Sequence, residues 1–126
     1  EYASNRRVFK DRPIGSYQSI QHPLAELKIE LEATRLLTYK AAWAFDQNKP
    51  PGEIGLWGNM AKYKAAEMCI AAVDRAIQTH GGYGFSEEYG IIYYWEGARL
   101  LRTAPVSKEM ILNYIAEHSL GLPRSY

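Results

Sequence analysis

From Asn59 to His80 the chain runs without a glycine or a proline, and apolar side chains return through it at helical spacing. The run stops at Gly81-Gly82. Glycine takes positive φ at no steric cost, so the pattern predicts a long helix over about 55–79, closed by a glycine cap and a tight turn. The same stretch, Gln78-Thr79-His80-Gly81-Gly82-Tyr83-Gly84-Phe85, also reads as a place where a ligand approaches the backbone, with the Gln78 amide one turn back able to donate and to accept. The two readings are compatible. It is not a phosphate loop, because no Lys-Ser/Thr follows, and it does not carry the G-x-G-x-x-G spacing. Nor is Gly84-Phe85-Ser86-Glu87-Glu88 a nucleophile elbow, since Glu88 stands where the second glycine is required.

The flanking sequence supplies three more helices. Residues 1–15 read as the tail of an interrupted helix and a loop, broken by Pro13 and Gly15. Ser16 is the candidate N-cap of a helix over about 17–47, in which Ile20, Leu24, Leu27, Leu31, Ala42 and Phe45 form a stripe widened by Leu36, Tyr39 and Trp43. Pro23 falls in its first two turns. Asn48-Lys49-Pro50-Pro51-Gly52 is the strongest turn signal, and so short a connection favours an antiparallel pair. In the second helix Trp57, Met60, Met68 and several alanines share neighbouring faces, the alanines permitting close helix approach. Ser86-Glu87-Glu88 suggests the start of a third helix over about 87–101, with Ile91, Ile92, Tyr94, Trp95, Ala98 and Leu101 as its apolar face. Ser107 caps a fourth, about 108–119, ended by Gly121 and Pro123. No run reads as a strand, so the expected fold is all-α, an antiparallel four-helix bundle with two long and two shorter helices, in a single domain over 1–126.

Composition narrows the function classes. A net charge of +1 with 47% hydrophobic and 23% charged residues gives no electrostatic case for nucleic acid or an anionic membrane. No segment reads as a membrane span or a signal peptide, and the chain, with no initiator Met, reads as a fragment of a longer one. The single cysteine, Cys69, lies in an apolar run; it reads as a buried inert thiol and points to a reducing compartment. His22, His80 and His118 share no ligand spacing with each other or with Cys69, so no metal site is expected, and His80 reads as a helix-end residue. Glu26, Glu30 and Glu32 with Lys28 and Arg35 read as a solvated helix face. Tyr83, Tyr89, Tyr93, Tyr94 and Trp95 suit either a core or a surface buried on association.

Three segments, in order, resemble the C-terminal helical domain of the flavin-dependent acyl-CoA dehydrogenases, and the resemblance covers essentially the whole chain. Asn5-Arg6-Arg7-Val8-Phe9 is similar to that family's Arg-x-x-Phe element. Pro13-Ile14-Gly15-Ser16-Tyr17-Gln18 with Leu24-Ala25 resembles its Pro-Ile-x-x-x-Gln-x-x-x-x-x-Leu-Ala element, and Gln78 to Gly84 its Gln-x-x-Gly-Gly-x-Gly signature. The resemblance implies FAD as cofactor, lying between subunits of a dimer or tetramer. It implies further that Arg6, Phe9 and Gln18 approach the flavin nucleotide and that Gln78, Gly81 and Gly82 receive its adenosine-pyrophosphate part. An Arg fork complements phosphate, and glycines admit a pyrophosphate to the backbone. The implied reaction is α,β-desaturation of an acyl-CoA thioester with an electron-transfer-flavoprotein-like acceptor. The implied location is the cytoplasm in a bacterium, or the mitochondrial matrix or peroxisome in a eukaryote.

The chain departs from the family downstream. Where relatives often carry Glu-Gly-Thr, whose Glu removes the α-proton, this sequence has Pro105-Val106-Ser107; Glu96-Gly97-Ala98 imitates that element nine positions too early. Ser107 keeps a hydroxyl for FAD, no residue is assigned as the catalytic base, and Glu109, the nearest carboxylate, is read as lying inside the fourth helix. Two alternatives stay open: a non-catalytic flavin-binding or structural subunit of a mixed assembly, and a helical interaction module.

Overall fold

In the computed structural model, which describes residues 1–126, the chain opens with a one-turn helix, α1 (Tyr2–Asn5), and a small hairpin. Its strands β1 (Arg7–Val8) and β2 (Arg12–Pro13) pair antiparallel, Arg7 opposite Pro13 and Val8 opposite Arg12. The sequence reading contains no strand. The turn is made by Phe9, Lys10 and Asp11 at φ 33°, 55° and 58°, unusual for non-glycine residues, and is braced by the Arg7 guanidinium donating to the Asp11 carbonyl at 2.7 Å. With no glycine or asparagine at its tip, such a turn leaves no signal in the sequence.

A 3₁₀ turn (Ile14–Ser16) leads into α2 (Gln18–Asp46). Ser16 does not cap that helix; its hydroxyl donates to the Pro13 carbonyl at 2.8 Å, and Tyr17 occupies the cap position without a side-chain bond. The helix α3 (Pro51–His80) begins earlier than expected, because Pro51 at its start has no N–H to waste and a φ already suited to the helix. The two run antiparallel: Lys40 reaches the Trp57 ring near one end, while Glu30, earlier in α2, pairs with Lys64, later in α3. Glu30 pairs across to the neighbouring helix but stays on the solvated face, its side chain nearly as exposed as that of Glu32, which pairs with Lys28 and Arg35.

The shorter helices α4 (Tyr93–Leu100) and α5 (Lys108–Leu120) both pack on α3, which is the hub of the fold. Helix α4 starts several residues later than expected. The Ser86 hydroxyl donates to the Tyr83 carbonyl instead of capping a helix, and turns carry the chain over 87–92, with Gly90 at φ 63°. Ser107 does cap α5, its Oγ accepting from the Met110 N–H at 3.3 Å, and Gly121 closes it at φ 66°.

Only eight residues are fully buried, and most are small: Thr34, Ala44, Ala61, Ala66, Gly84 and Ala98, with Ile77 and Ile111. Small side chains at the contact lines let helix backbones approach closely. The large apolar side chains of the expected α2 stripe divide: Ile20, Leu27 and Leu31 are half-buried, but Leu24, Leu36, Tyr39, Trp43 and Phe45 are exposed. Tyr83, Tyr89, Tyr93, Tyr94 and Trp95 are exposed too, which removes them from the core of this chain. Cys69 is half-buried rather than sealed. No helix is long and apolar enough to cross a membrane.

Candidate functional site

A cleft of about 540 Å³ opens where the C-terminus of α3 meets the N-terminal hairpin. It is lined by Arg6, Val8 and Ile14 on one side and by Gln78, Thr79, Gly81, Gly82 and Tyr83 on the other, with Tyr2 and His80 at the junction. Aromatic stacking holds the two sides together. The Tyr2 ring lies on the His80 ring at 4.0 Å between centroids, and Tyr89 meets both edge-on at 5.7 and 5.5 Å. His80 Nδ1 lies 2.8 Å from the Ala76 carbonyl oxygen; a carbonyl only accepts, so Nδ1 carries the proton and the ring is fixed at the helix end.

Arg6 follows directly. It is the residue after α1, its carbonyl accepts from the Ile14 N–H at 2.8 Å, and its guanidinium sits 5.7 Å from the centre of the Tyr83 ring. The close fit of α1 on the following turn requires Gly15, where a Cβ would come 2.8 Å from the Ala3 carbonyl oxygen. No carboxylate pairs with Arg6, so an exposed cation faces the cleft uncompensated.

The three glycines opposite are glycines for different reasons. Gly81 takes φ 60° as the cap of α3. Gly84 is buried against Ile77, where a Cβ would lie 2.6 Å from a carbonyl oxygen. Gly82 has neither a positive φ nor any atom within 4 Å of where a Cβ would stand. Nothing inside the chain requires glycine there, and what an added methyl would obstruct is an approach from outside. An unpaired guanidinium across from open backbone suits an extended anionic group.

A sequence model for "Acyl-CoA dehydrogenase, C-terminal domain" matches residues 1–120. The chain belongs to the acyl-CoA dehydrogenase family. It is 48% identical over 126 residues to acyl-CoA dehydrogenase FadE12 of Mycobacterium tuberculosis, covering 100% of this chain and 32% of that protein. The chain thus spans about a third of the length of the curated relatives it matches. Among solved structures, a glutaryl-coenzyme A dehydrogenase in complex with glutaryl-CoA superposes with a TM-score of 0.85 at 35% identity, over 98% of this chain and 30% of that one. The FAD complex of PigA superposes with a TM-score of 0.86 at 30% identity, over 96% of this chain and 30% of that one.

In this acyl-CoA dehydrogenase domain the cleft brings together Arg6, Gln78, Gly81 and Gly82 but not the other three candidates. Phe9 is at the hairpin tip, 82% exposed, and Gln18 is exposed at the first turn of α2. Ser107 lies beside the middle of α3, because the loop before it is bonded to Lys62 and Glu67. That is about 25 Å along the helix axis from Gly81. Glu109 is the second residue of α5, inside the helix but in its first turn. Its carboxyl is held below the usual glutamate range, chiefly by a backbone N–H, and further by the Ser107 hydroxyl and by Lys108 and Arg102. Pro105 is exposed in the bend preceding the cap and has no group that takes a proton. Tyr2, His80 and Tyr83, which shape the cleft, were not candidates, since their contacts join residues far apart in sequence.

Proposed function

We propose that the whole protein, with this chain as its C-terminal domain, is an FAD-dependent acyl-CoA dehydrogenase that introduces an α,β double bond into an acyl-CoA thioester. The observation that carries the cofactor site is the unpaired Arg6 guanidinium facing Gly82, a glycine that the chain itself does not need. Arg6 forks onto the nucleotide phosphates, Gln78 donates or accepts at the same end, and Gly81 and Gly82 admit the pyrophosphate to the backbone. Phe9, Gln18 and Ser107 lie outside the cleft and would meet the cofactor elsewhere, in a site shared between subunits of a dimer or tetramer. A bound flavin would supply the hydride acceptor for the β-carbon, with an electron-transfer-flavoprotein-like protein as the external acceptor. The base that takes the α-proton comes from the protein outside these residues, because Pro105 lacks one and Glu109 is held as an exposed, weakly basic carboxylate.

The second reading is a non-catalytic flavin-binding subunit of a mixed assembly, favoured by the absence of a carboxylate at Pro105-Val106-Ser107. Titration of FAD into the whole apo-protein followed by anaerobic addition of acyl-CoA separates the two. Flavin bleaching by substrate supports the enzyme, binding without bleaching by any acyl-CoA supports the subunit, and failure to bind FAD overturns both.

A further inference from the structure

Both ends of the loop from Arg102 to Lys108 return to one carboxylate. Glu67 Oε1, on α3, lies 2.7 Å from Arg102 Nε and 3.6 Å from Lys108 Nζ. These three side chains are 28–30% exposed, against 35% or more for every partner in the other ion pairs. The Oε1 atom is shielded from solvent and accepts no hydrogen bond of good geometry, so the Arg102 contact is an ion pair whose N–H is not aimed at the oxygen. Two further contacts close the loop. The Lys108 N–H bonds the Arg102 carbonyl at 3.0 Å, and Lys62 Nζ donates to the Val106 carbonyl at 2.6 Å. Lys108 also lies 6.0 Å from the centre of the Tyr63 ring, one helical turn before Glu67.

Three cations, Lys62, Arg102 and Lys108, therefore converge on a loop whose neutralising charge on α3 is Glu67 alone. The one other acid at the loop, Glu109, is exposed on α5 itself. Without the Glu67 charge, Arg102 and Lys108 repel each other, and only the Lys62–Val106 hydrogen bond and the Lys108–Tyr63 contact still draw the loop onto α3. The loop leads straight into Ser107, whose hydroxyl caps α5, and α3 also carries Gln78, Gly81 and Gly82 at its end.

We infer that Glu67 is a positioning residue: its carboxylate fixes the Arg102–Lys108 loop, and with it Ser107, on the same helix that presents Gly81 and Gly82. The inference rests on the flavin reading above. A partly exposed pair contributes little to global stability, so the effect of Glu67 is local to the loop, where opening costs least.

The test uses the whole protein, with and without flavin. Glu67→Gln keeps shape and removes charge. Amide hydrogen exchange in the flavin-free protein is expected to quicken about fivefold in residues 102–108, a loss on the scale of one ion pair, while α2 is unchanged. FAD affinity is expected to fall about threefold, with the melting temperature nearly constant. Arg102→Met is expected to do the same, and the double variant to be no worse than the worse single one. Lys62→Met, which frees the Val106 carbonyl, serves as a second probe should Glu67→Gln fold poorly. Unchanged loop exchange in Glu67→Gln and Lys62→Met overturns the inference, as do fully additive losses in the double variant. Gly82→Val in parallel reports on the flavin reading itself: if it leaves FAD affinity intact, that reading falls and this inference with it, whereas weakened FAD in Gly82→Val with normal affinity in Glu67→Gln overturns the positioning role alone.

Discussion

Gly84 is packed so closely on Ile77 that a Cβ at residue 84 would lie 2.6 Å from the Ile77 carbonyl oxygen and 2.9 Å from its Cα. Both obstacles are backbone of α3, which cannot swing aside as a side chain can. Gly84→Ala is therefore expected to destabilise the protein by about 1–3 kcal/mol, the usual cost of forcing atoms into a filled site. Chemical denaturation reads this directly, and an unchanged midpoint would show that the turn after α3 relaxes more easily than its packing suggests.

Gly82, two residues earlier, is expected to behave oppositely. With open space around the absent Cβ and no positive φ, Gly82→Val changes stability little but blocks an external group from the backbone. FAD affinity of the whole protein is expected to fall by more than tenfold. Arg6→Lys keeps the charge and loses the fork, and should weaken FAD by a factor of about ten, the equivalent of one charge-assisted contact. Equal FAD affinity in wild type and both variants, measured by titration of apo-protein, would place the nucleotide elsewhere.

A backbone N–H, and after it the Ser107 hydroxyl, hold the Glu109 carboxyl and give α5 a pH-dependent start. Folding lowers the Glu109 carboxyl below its ordinary value of 4.5, so its contribution to stability is present above that value and disappears as pH falls through the lower, folded value. Carbon-13 titration of the Glu109 carboxyl should show a midpoint below 4.5 in the folded protein. Ser107→Ala should move that midpoint back up and, by removing the cap, cost about 1 kcal/mol. A wild-type midpoint at or above 4.5 would contradict this arrangement.

Glu109→Gln should leave flavin bleaching by acyl-CoA largely intact, since an exposed carboxylate of lowered pKa is a poor proton acceptor. Abolished bleaching with FAD still bound would make Glu109 the base.

The isolated 126-residue chain is expected to self-associate, because Tyr93, Tyr94, Trp95, Leu100 and Leu101 leave an apolar surface on and just after α4. Sedimentation velocity over a range of concentrations checks it. A monomeric mass at all of them would mean that these side chains are tolerated in water.

Helix content and the family were legible in the sequence because both depend on local or ordered patterns: the glycine-free run to His80, the Asn48–Gly52 turn, the Ser107 cap, and three short elements in fixed order. Arg6, Gln78, Gly81 and Gly82 are candidates from the same patterns, but their meeting in one cleft comes from the Tyr2–His80 stack, a contact between the N-terminal helix and the end of α3. Local preference also misled. Ser16 and Ser86 have the chemistry of helix caps, yet each bonds a preceding carbonyl, and the hairpin at Phe9–Asp11 forms without a glycine or asparagine at its tip. Periodicity located apolar stripes but not which stripe is covered, so Leu36 and Phe45 are exposed while Thr34 and Ala44 are buried. That choice is made by how closely two backbones approach, and the separate demands on Gly81, Gly82 and Gly84 arise only when the turn is folded back on α3. The sequence determines which elements form because hydrogen bonding and spacing act within a few residues. Only the tertiary structure decides which faces meet, because excluded volume and ion pairing, as between Glu67 and Arg102, act between residues the chain order keeps apart.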